Sequence, residues 1–124
     1  MKAVLWVGLG GFIGTILRYT ASLGFEKIAI PLFPIATFLV NFLGCFILGL
    51  LINMGNSLLD TLPVKEFLII GLLGGFTTFS TFSLEVYDLF KSGEMIIGMI
   101  YMILSIASGV FGIWLSQFLV NLGL

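Results

Sequence analysis

The stretch GGFTTFSTFSLE, residues 74–85, interrupts an otherwise apolar run. It holds five hydroxyl side chains, Thr77, Thr78, Ser80, Thr81 and Ser83, behind the glycine pair Gly74 and Gly75. Phe79 and Phe82 lie three apart within it, and Glu85 closes it. The surrounding residues from Phe67 onward are uncharged and mostly Leu, Ile, Val and Phe. The whole chain has the same character. Its 124 residues are 60% hydrophobic and 9% charged, with a mean hydropathy of +1.25. Soluble domains carry about 25% charge. A chain this poor in charge cannot cover a water-facing surface, so it reads as an all-α integral membrane protein.

Composition also narrows the chemistry. A net charge of −1 gives no reason to expect a nucleic-acid partner. The absence of His excludes imidazole metal sites and His-based proton relays. Cys45 is the single cysteine, so neither an intrachain disulfide nor a cysteine metal cluster is available. Its expected role is that of a small helix-packing residue. No nucleophile–base pair suggests an enzyme. The start, MKAVLWVGLGGFIG, has the charge pattern of a signal peptide. It is rich in glycine, runs on to Arg18 and Tyr19 and lacks a clear small-residue cleavage site, so it reads as a first span instead.

Charge-free runs mark four spans. A bilayer core needs about 20 helical residues, which predicts helices near 3–22, 32–54, 65–90 and 95–121. The connections GFEKIAIP, GNSLLDTLP and KSGE are short, so residues 1–124 are expected to form a single four-helix transmembrane domain. With four spans, Lys2 and Lys65 fall on one side and Lys27 and Lys91 on the other, joined there by Arg18 if it faces that way. Orientation normally follows a Lys/Arg bias, and here the sides are nearly balanced. Either other features fix one orientation or the chain inserts both ways. Four thin helices cannot enclose a pore alone. A chain inserting both ways would build an antiparallel homodimer with a twofold axis in the membrane plane, an inverted repeat made from two chains.

Within the spans, Gly10 and Gly14 have the small-xxx-small spacing that lets helices approach closely. Tyr101, Ser105, Ser108, Gly112 and Ser116 form one polar or small stripe on the fourth helix, bordered by Gly109. It reads as a helix–helix seam, as a pore lining, or as both. Asn41 stands alone in an apolar run and reads equally as a helix-pairing amide and as an anion donor. In the opening stretch, the glycine pair predicts a helix broken near Gly74–Thr78. Unwound carbonyls are costly in hydrocarbon unless protein, water or an ion satisfies them, and a small cation suits such hard oxygens. Phe79 and Phe82 share a helix face. Their positively polarised ring edges suit an anion that is also met by nearby hydroxyls.

Three segments together resemble one known family. GGFIGTILRY at 10–19, Asn41 within FLVNFLGCFILG, and GLLGGFTTFSTFSLE at 71–85 are similar to the Fluc/CrcB fluoride ion channels. The third motif is highly specific, and the likeness runs over nearly the whole chain. It implies a fluoride-selective channel in the cell inner or plasma membrane, giving passive efflux of F⁻ from the cytoplasm and hence fluoride resistance. It implies a dual-topology antiparallel homodimer with two pores, and a structural Na⁺ at its centre held by the main-chain carbonyls of Gly74 and Thr77. The pore residues it implies are Asn41, Phe79, Phe82, Ser80, Thr81, Ser83, Tyr101, Ser105, Glu85 and Arg18. Gly109 stands where some relatives carry a hydroxyl.

The physical reading agrees with that assignment. F⁻ holds its water tightly, and a pore must replace that shell yet release the ion. Neutral amide, hydroxyl and ring-edge donors do this, whereas a lysine inside a span would trap the ion. Arg18 near a span end reads as an interfacial snorkel or as part of an anion vestibule. Glu85 reads as an acceptor that orders neighbouring hydroxyls or as a protonated acid. The alternative function is a small dual-topology proton-coupled membrane exporter with Glu85 as its coupling carboxylate.

Overall fold

In a computed structural model the described residues, 1–28, 30–53 and 63–123, are helical apart from short connections. Helix α1 is Lys2–Phe25 and α2 is Ile35–Asn53. The third span opens with α3 (Lys65–Leu73), wound as a π-helix, which continues into the short α4 (Gly74–Phe76). It is completed by α5 (Phe79–Lys91), and α6 is Met95–Asn121. Among the described residues, four helical stretches, Lys2–Phe25, Ile35–Ile52, Lys65–Lys91 and Met95–Asn121, are long and apolar enough to cross a membrane. At 1.5 Å per residue, even an 18-residue helix covers about 27 Å of the roughly 30 Å hydrocarbon layer. The protein is a multi-pass membrane protein.

The sequence places the helix ends to within a few residues, and each difference has a local cause. Helix α1 runs to Phe25 rather than 22, because nothing in TASLGF breaks it. Helix α2 starts at Ile35 rather than 32. Leu32 sits at φ 63°, outside the right-handed helical region, and Phe33, which precedes Pro34, is pushed out of that region too. The expected end of the second helix at 54 and the connection GNSLLDTLP, apart from Pro63, lie outside the described residues. The last connection closes at Gly93, whose φ of 87° is open to glycine at little cost.

Two glycine seams organise the bundle. Helix α1 packs against α3 and α4 backbone to backbone. A Cβ on Gly10 or Gly14 would run into the carbonyls of Phe67 or Leu72, and one on Gly75 would sit 2.6 Å from the Gly11 carbonyl. The other seam joins α2 to α6, with Gly49 against Ser116, Phe42 against Gly112 and Cys45 against Gly109. The stripe on α6 therefore divides. Its lower half, Gly109 to Ser116, is a helix seam, and Tyr101 and Ser105 lie beyond it. A small core of Phe82, Val86, Leu89 and Tyr101, flanked by Phe33 and Phe38, ties α5 to α6 and to the entry of α2.

Candidate functional site

The third span is interrupted at two residues. Thr77 (φ −79°, ψ 157°) and Thr78 (φ −146°, ψ 116°) are extended. The sequence assigned the unwinding to the glycines, but Gly74 is helical at φ −63°, ψ −35°. Gly75 serves close packing on Gly11 instead. The threonines are held extended by side chains. Asn41 clamps Thr78 at both ends: its Oδ1 accepts from the Thr78 N–H at 2.8 Å, and its Nδ2 donates to the Thr78 carbonyl at 3.1 Å. The Thr78 hydroxyl then caps α5, accepting from the Thr81 N–H at 3.2 Å and donating to the Thr81 hydroxyl at 2.9 Å.

These bonds settle where the loosened backbone groups go. In a continuous helix the Thr78 N–H would reach the Gly74 carbonyl, and Asn41 takes it instead. The Gly74 carbonyl is thereby left without its helical donor. The Thr77 carbonyl accepts from Arg18 Nη1 at 3.3 Å. Arg18 thus reaches from α1 to the interruption rather than only out to the interface.

A cavity of about 380 Å³ opens beside the interruption. Asn41 and Cys45 of α2, Thr78, Phe79 and Phe82 of the third span, and Ser105 of α6 wall it, with Gly74 and Thr77 at its edge. The Phe79 and Phe82 rings are 5.8 Å apart and tilted by 45°. Phe82 is buried, whereas Phe79 is 79% exposed on the open side. The Ser105 hydroxyl oxygen is buried and has no hydrogen-bond partner among the described residues. Nδ2 of Asn41 carries two hydrogens, and one remains after the bond to Thr78. Among the described residues, no lysine or arginine lines the cavity.

Glu85, which lines a separate hollow with Phe33 and Pro34, receives two short hydrogen bonds. Thr37 Oγ1 donates to Oε1 and the Tyr101 hydroxyl donates to Oε2, each at 2.6 Å. Glu85 is an acceptor on both oxygens, and Thr37 and Tyr101 spend their hydrogens on it. Tyr101 is fully buried, its ring 5.3 Å from Phe82 and 5.2 Å from Phe33. The structure therefore gathers Asn41, Phe79, Phe82 and Ser105 around one cavity, joins Glu85 to Tyr101, whose ring meets Phe82, and brings Arg18 to the Thr77 carbonyl. Ser80 and Thr81 are exposed and cluster about Thr78. Ser83 is also exposed and donates back to its own helix at the Phe79 carbonyl, 2.9 Å away. Sequence reasoning missed Thr37 and the capping role of Thr78. Thr37 stands one helical turn before Asn41, and that i, i+4 spacing was the available signal.

Comparison with known proteins places the chain. Residues 5–117 match the family model described as CrcB-like protein, Camphor Resistance (CrcB). The chain belongs to the CrcB family. This CrcB chain is similar to a protein named fluoride-specific ion channel FluC from Ruminiclostridium cellulolyticum, 45% identical over 120 residues, 96% of this chain and 92% of that one. It is 41% identical over 121 residues to the FluC of Azobacteroides pseudotrichonymphae, 96% of each chain. The FluC of Flavobacterium psychrophilum is 39% identical over 115 residues, 92% of this CrcB chain and 93% of its own.

Proposed function

We propose that this protein is a fluoride-selective channel that lets F⁻ leave the cytoplasm passively across the cell's inner or plasma membrane. The observation that carries this reading is the neutral donor set of the cavity: the Ser105 hydroxyl, unpartnered among the described residues, the spare Asn41 N–H and two phenylalanine rings, with no lysine or arginine among the described residues of its wall. Such donors replace a tightly held water shell without binding so strongly that the ion stays. Glu85 fits the same picture. It fixes Tyr101 and Thr37 by taking their hydrogens, and this orders the wall beside the path. A proton-coupled exporter would need Glu85 free to take up and release protons, whereas both its oxygens are engaged by donors. The names of the FluC relatives, at 39–45% identity over nearly the whole chain, support fluoride as the ion.

The finer reading is a dual-topology antiparallel homodimer with two pores. Phe79 stands exposed on the open side of the cavity, so one chain leaves the path unclosed, and a second copy would complete it. The near balance of Lys2 and Lys65 against Lys27 and Lys91 suits insertion in both directions. The Gly74 and Thr77 carbonyls fit a structural Na⁺ at the centre of that dimer. The first lacks its helical donor, and the second has a lone pair to spare beside Arg18. Na⁺ bound there would supply positive charge to the loosened backbone and hold the interruption open.

Purified protein in liposomes tests the function. F⁻ should leave down its gradient when valinomycin carries K⁺ out, and Cl⁻ should stay. Equal Cl⁻ loss, or F⁻ movement that demands a proton gradient, would refute the channel. Tags on the C-terminus should register on both membrane faces. A tag found on one face alone would refute the antiparallel pairing.

A further inference from the structure

Phe33 lies in the connection ahead of α2, and no motif in the sequence singles it out. Its ring is the far end of a row. Phe33 meets Tyr101 at 5.2 Å with the rings at 80°, Tyr101 meets Phe82 at 5.3 Å, and Phe82 meets Phe79 at 5.8 Å. Phe79 and Phe82 wall the cavity, whereas Phe33 lines the separate hollow of about 250 Å³ that it shares with Glu26 and Glu85. The row thus runs from one opening to the other, and Tyr101 in its middle is fully buried and donates to Glu85 at 2.6 Å.

The backbone fixes the outer ring in place. The Phe33 N–H donates to the Ile30 carbonyl at 3.1 Å, and the Phe33 carbonyl accepts from the Ile35 N–H at 2.8 Å. Just before it, Leu32 takes φ 63°, a left-handed conformation that is unfavourable for a residue with a bulky side chain. Such conformations persist where the surroundings over-determine them, and they concentrate at functional positions. Here the turn delivers Phe33 onto Tyr101 edge to face, a geometry that aromatic pairs prefer.

We propose that Phe33 is a positioning residue for conduction, holding the Tyr101 phenol on Glu85 and the Tyr101 ring against Phe82 of the cavity wall. The inference rests on the fluoride-channel reading. Without the Phe33 ring, Tyr101 loses the neighbour on its side away from Phe82 and can swing from its place. Glu85 Oε2 then loses its donor. The donor dipole that offset the carboxylate charge is gone, so an approaching anion is repelled more strongly.

Infrared spectra and F⁻ efflux from liposomes test this together. The Glu85 carboxylate band is identified by its loss in Glu85→Gln, and Tyr101→Phe gives its position without the phenol. In Phe33→Leu, which stays apolar but has no ring, the band should move toward the Tyr101→Phe position. F⁻ flux should fall about twofold or more, the shift that loss of one aromatic edge contact produces in an equilibrium. Phe33→Met, whose flexible chain refills the space, should do the same. Leu89→Ala trims the same small core from α5. It should lower the melting midpoint and leave the band and the flux per folded protein unchanged. An unmoved band or wild-type flux in folded Phe33→Leu or Phe33→Met would overturn the proposal. So would a band in Leu89→Ala that moves as far as in Phe33→Leu, since any loss of core packing would then suffice. Absence of F⁻ flux in the wild type would instead overturn the channel reading, while the band would still report whether Phe33 holds Tyr101.

Discussion

Replacing Asn41 by Leu keeps the number and branching of the side-chain heavy atoms and removes both ends of the clamp on Thr78. Two backbone groups then lose their partners, the Thr78 N–H at 2.8 Å and its carbonyl at 3.1 Å. Hydrogen bonds between membrane helices average about 0.6 kcal/mol when the separated groups find other partners, which sets a floor of roughly 1 kcal/mol for two. Groups left buried and unpaired cost about 1–3 kcal/mol each, so the pair costs roughly 2–6 kcal/mol. Thr78 is 8% exposed and extended, so neither water nor a helical neighbour stands ready to replace Asn41. The larger range should apply. Far-UV circular dichroism during heating in detergent measures it. At about 4 °C per kcal/mol for a chain of this size, Asn41→Leu should lower the midpoint by roughly 8 °C or more. Ser83→Ala, which removes only a bond within α5, should stay within about 0.5 kcal/mol of wild type. If Asn41→Leu unfolds within about 2 °C of wild type, the reasoning that Asn41 holds the interruption is wrong.

Gly75→Ala should destabilise the fold, since its Cβ would sit 2.6 Å from the Gly11 carbonyl, while Gly8→Ala, with open space around it, should not; the same melting curves compare them. Phe79→Ile should cut F⁻ flux with little change in melting, because the exposed Phe79 has few contacts to lose. Phe82→Ile should lower both, as Phe82 belongs to the small core; equal melting losses for the two would count against the different placement of the rings. Tyr101→Phe keeps the ring contacts and removes one donor to Glu85. It should shift the carboxylate bands in the infrared spectrum and reduce F⁻ flux, and an unmoved carboxylate band would mean that the Tyr101–Glu85 bond does not form.

Much of this organisation was legible in the sequence because lipid imposes simple rules. Uncharged runs located four spans, and a cluster of hydroxyls in a greasy segment flagged the region where the backbone departs from helix. Other features left no readable signal. The π-helical winding of Lys65–Leu73 is invisible because a segment apolar on every face has no periodic pattern to betray its pitch. Gly74 and Gly75 suggested unwinding, yet glycine permits a close approach as readily as an unusual dihedral, and only the position of Gly11 decides between them. Thr37 went unnoticed because one hydroxyl in a membrane helix can bond to its own turn. Its pairing with Glu85, forty-eight residues away, is a tertiary fact.

The interruption at Thr77 and Thr78 also has an electrostatic consequence that no single side chain carries. A continuous third span would have its two poles at the membrane surfaces. Splitting it gives α4 a C-terminal end at Phe76 and α5 an N-terminal end at Phe79, three residues apart and inside the bilayer. Helix ends carry about half an elementary charge each, negative at the C-terminus and positive at the N-terminus. A stretch with no ionised residue between Phe67 and Leu84 thus presents opposite poles side by side. Cations are favoured at one and anions at the other, in a medium where a full charge would be expensive. Side-chain substitutions that keep the backbone course leave this pattern intact. Only a change that lets the helix run through Thr77 and Thr78 would erase it.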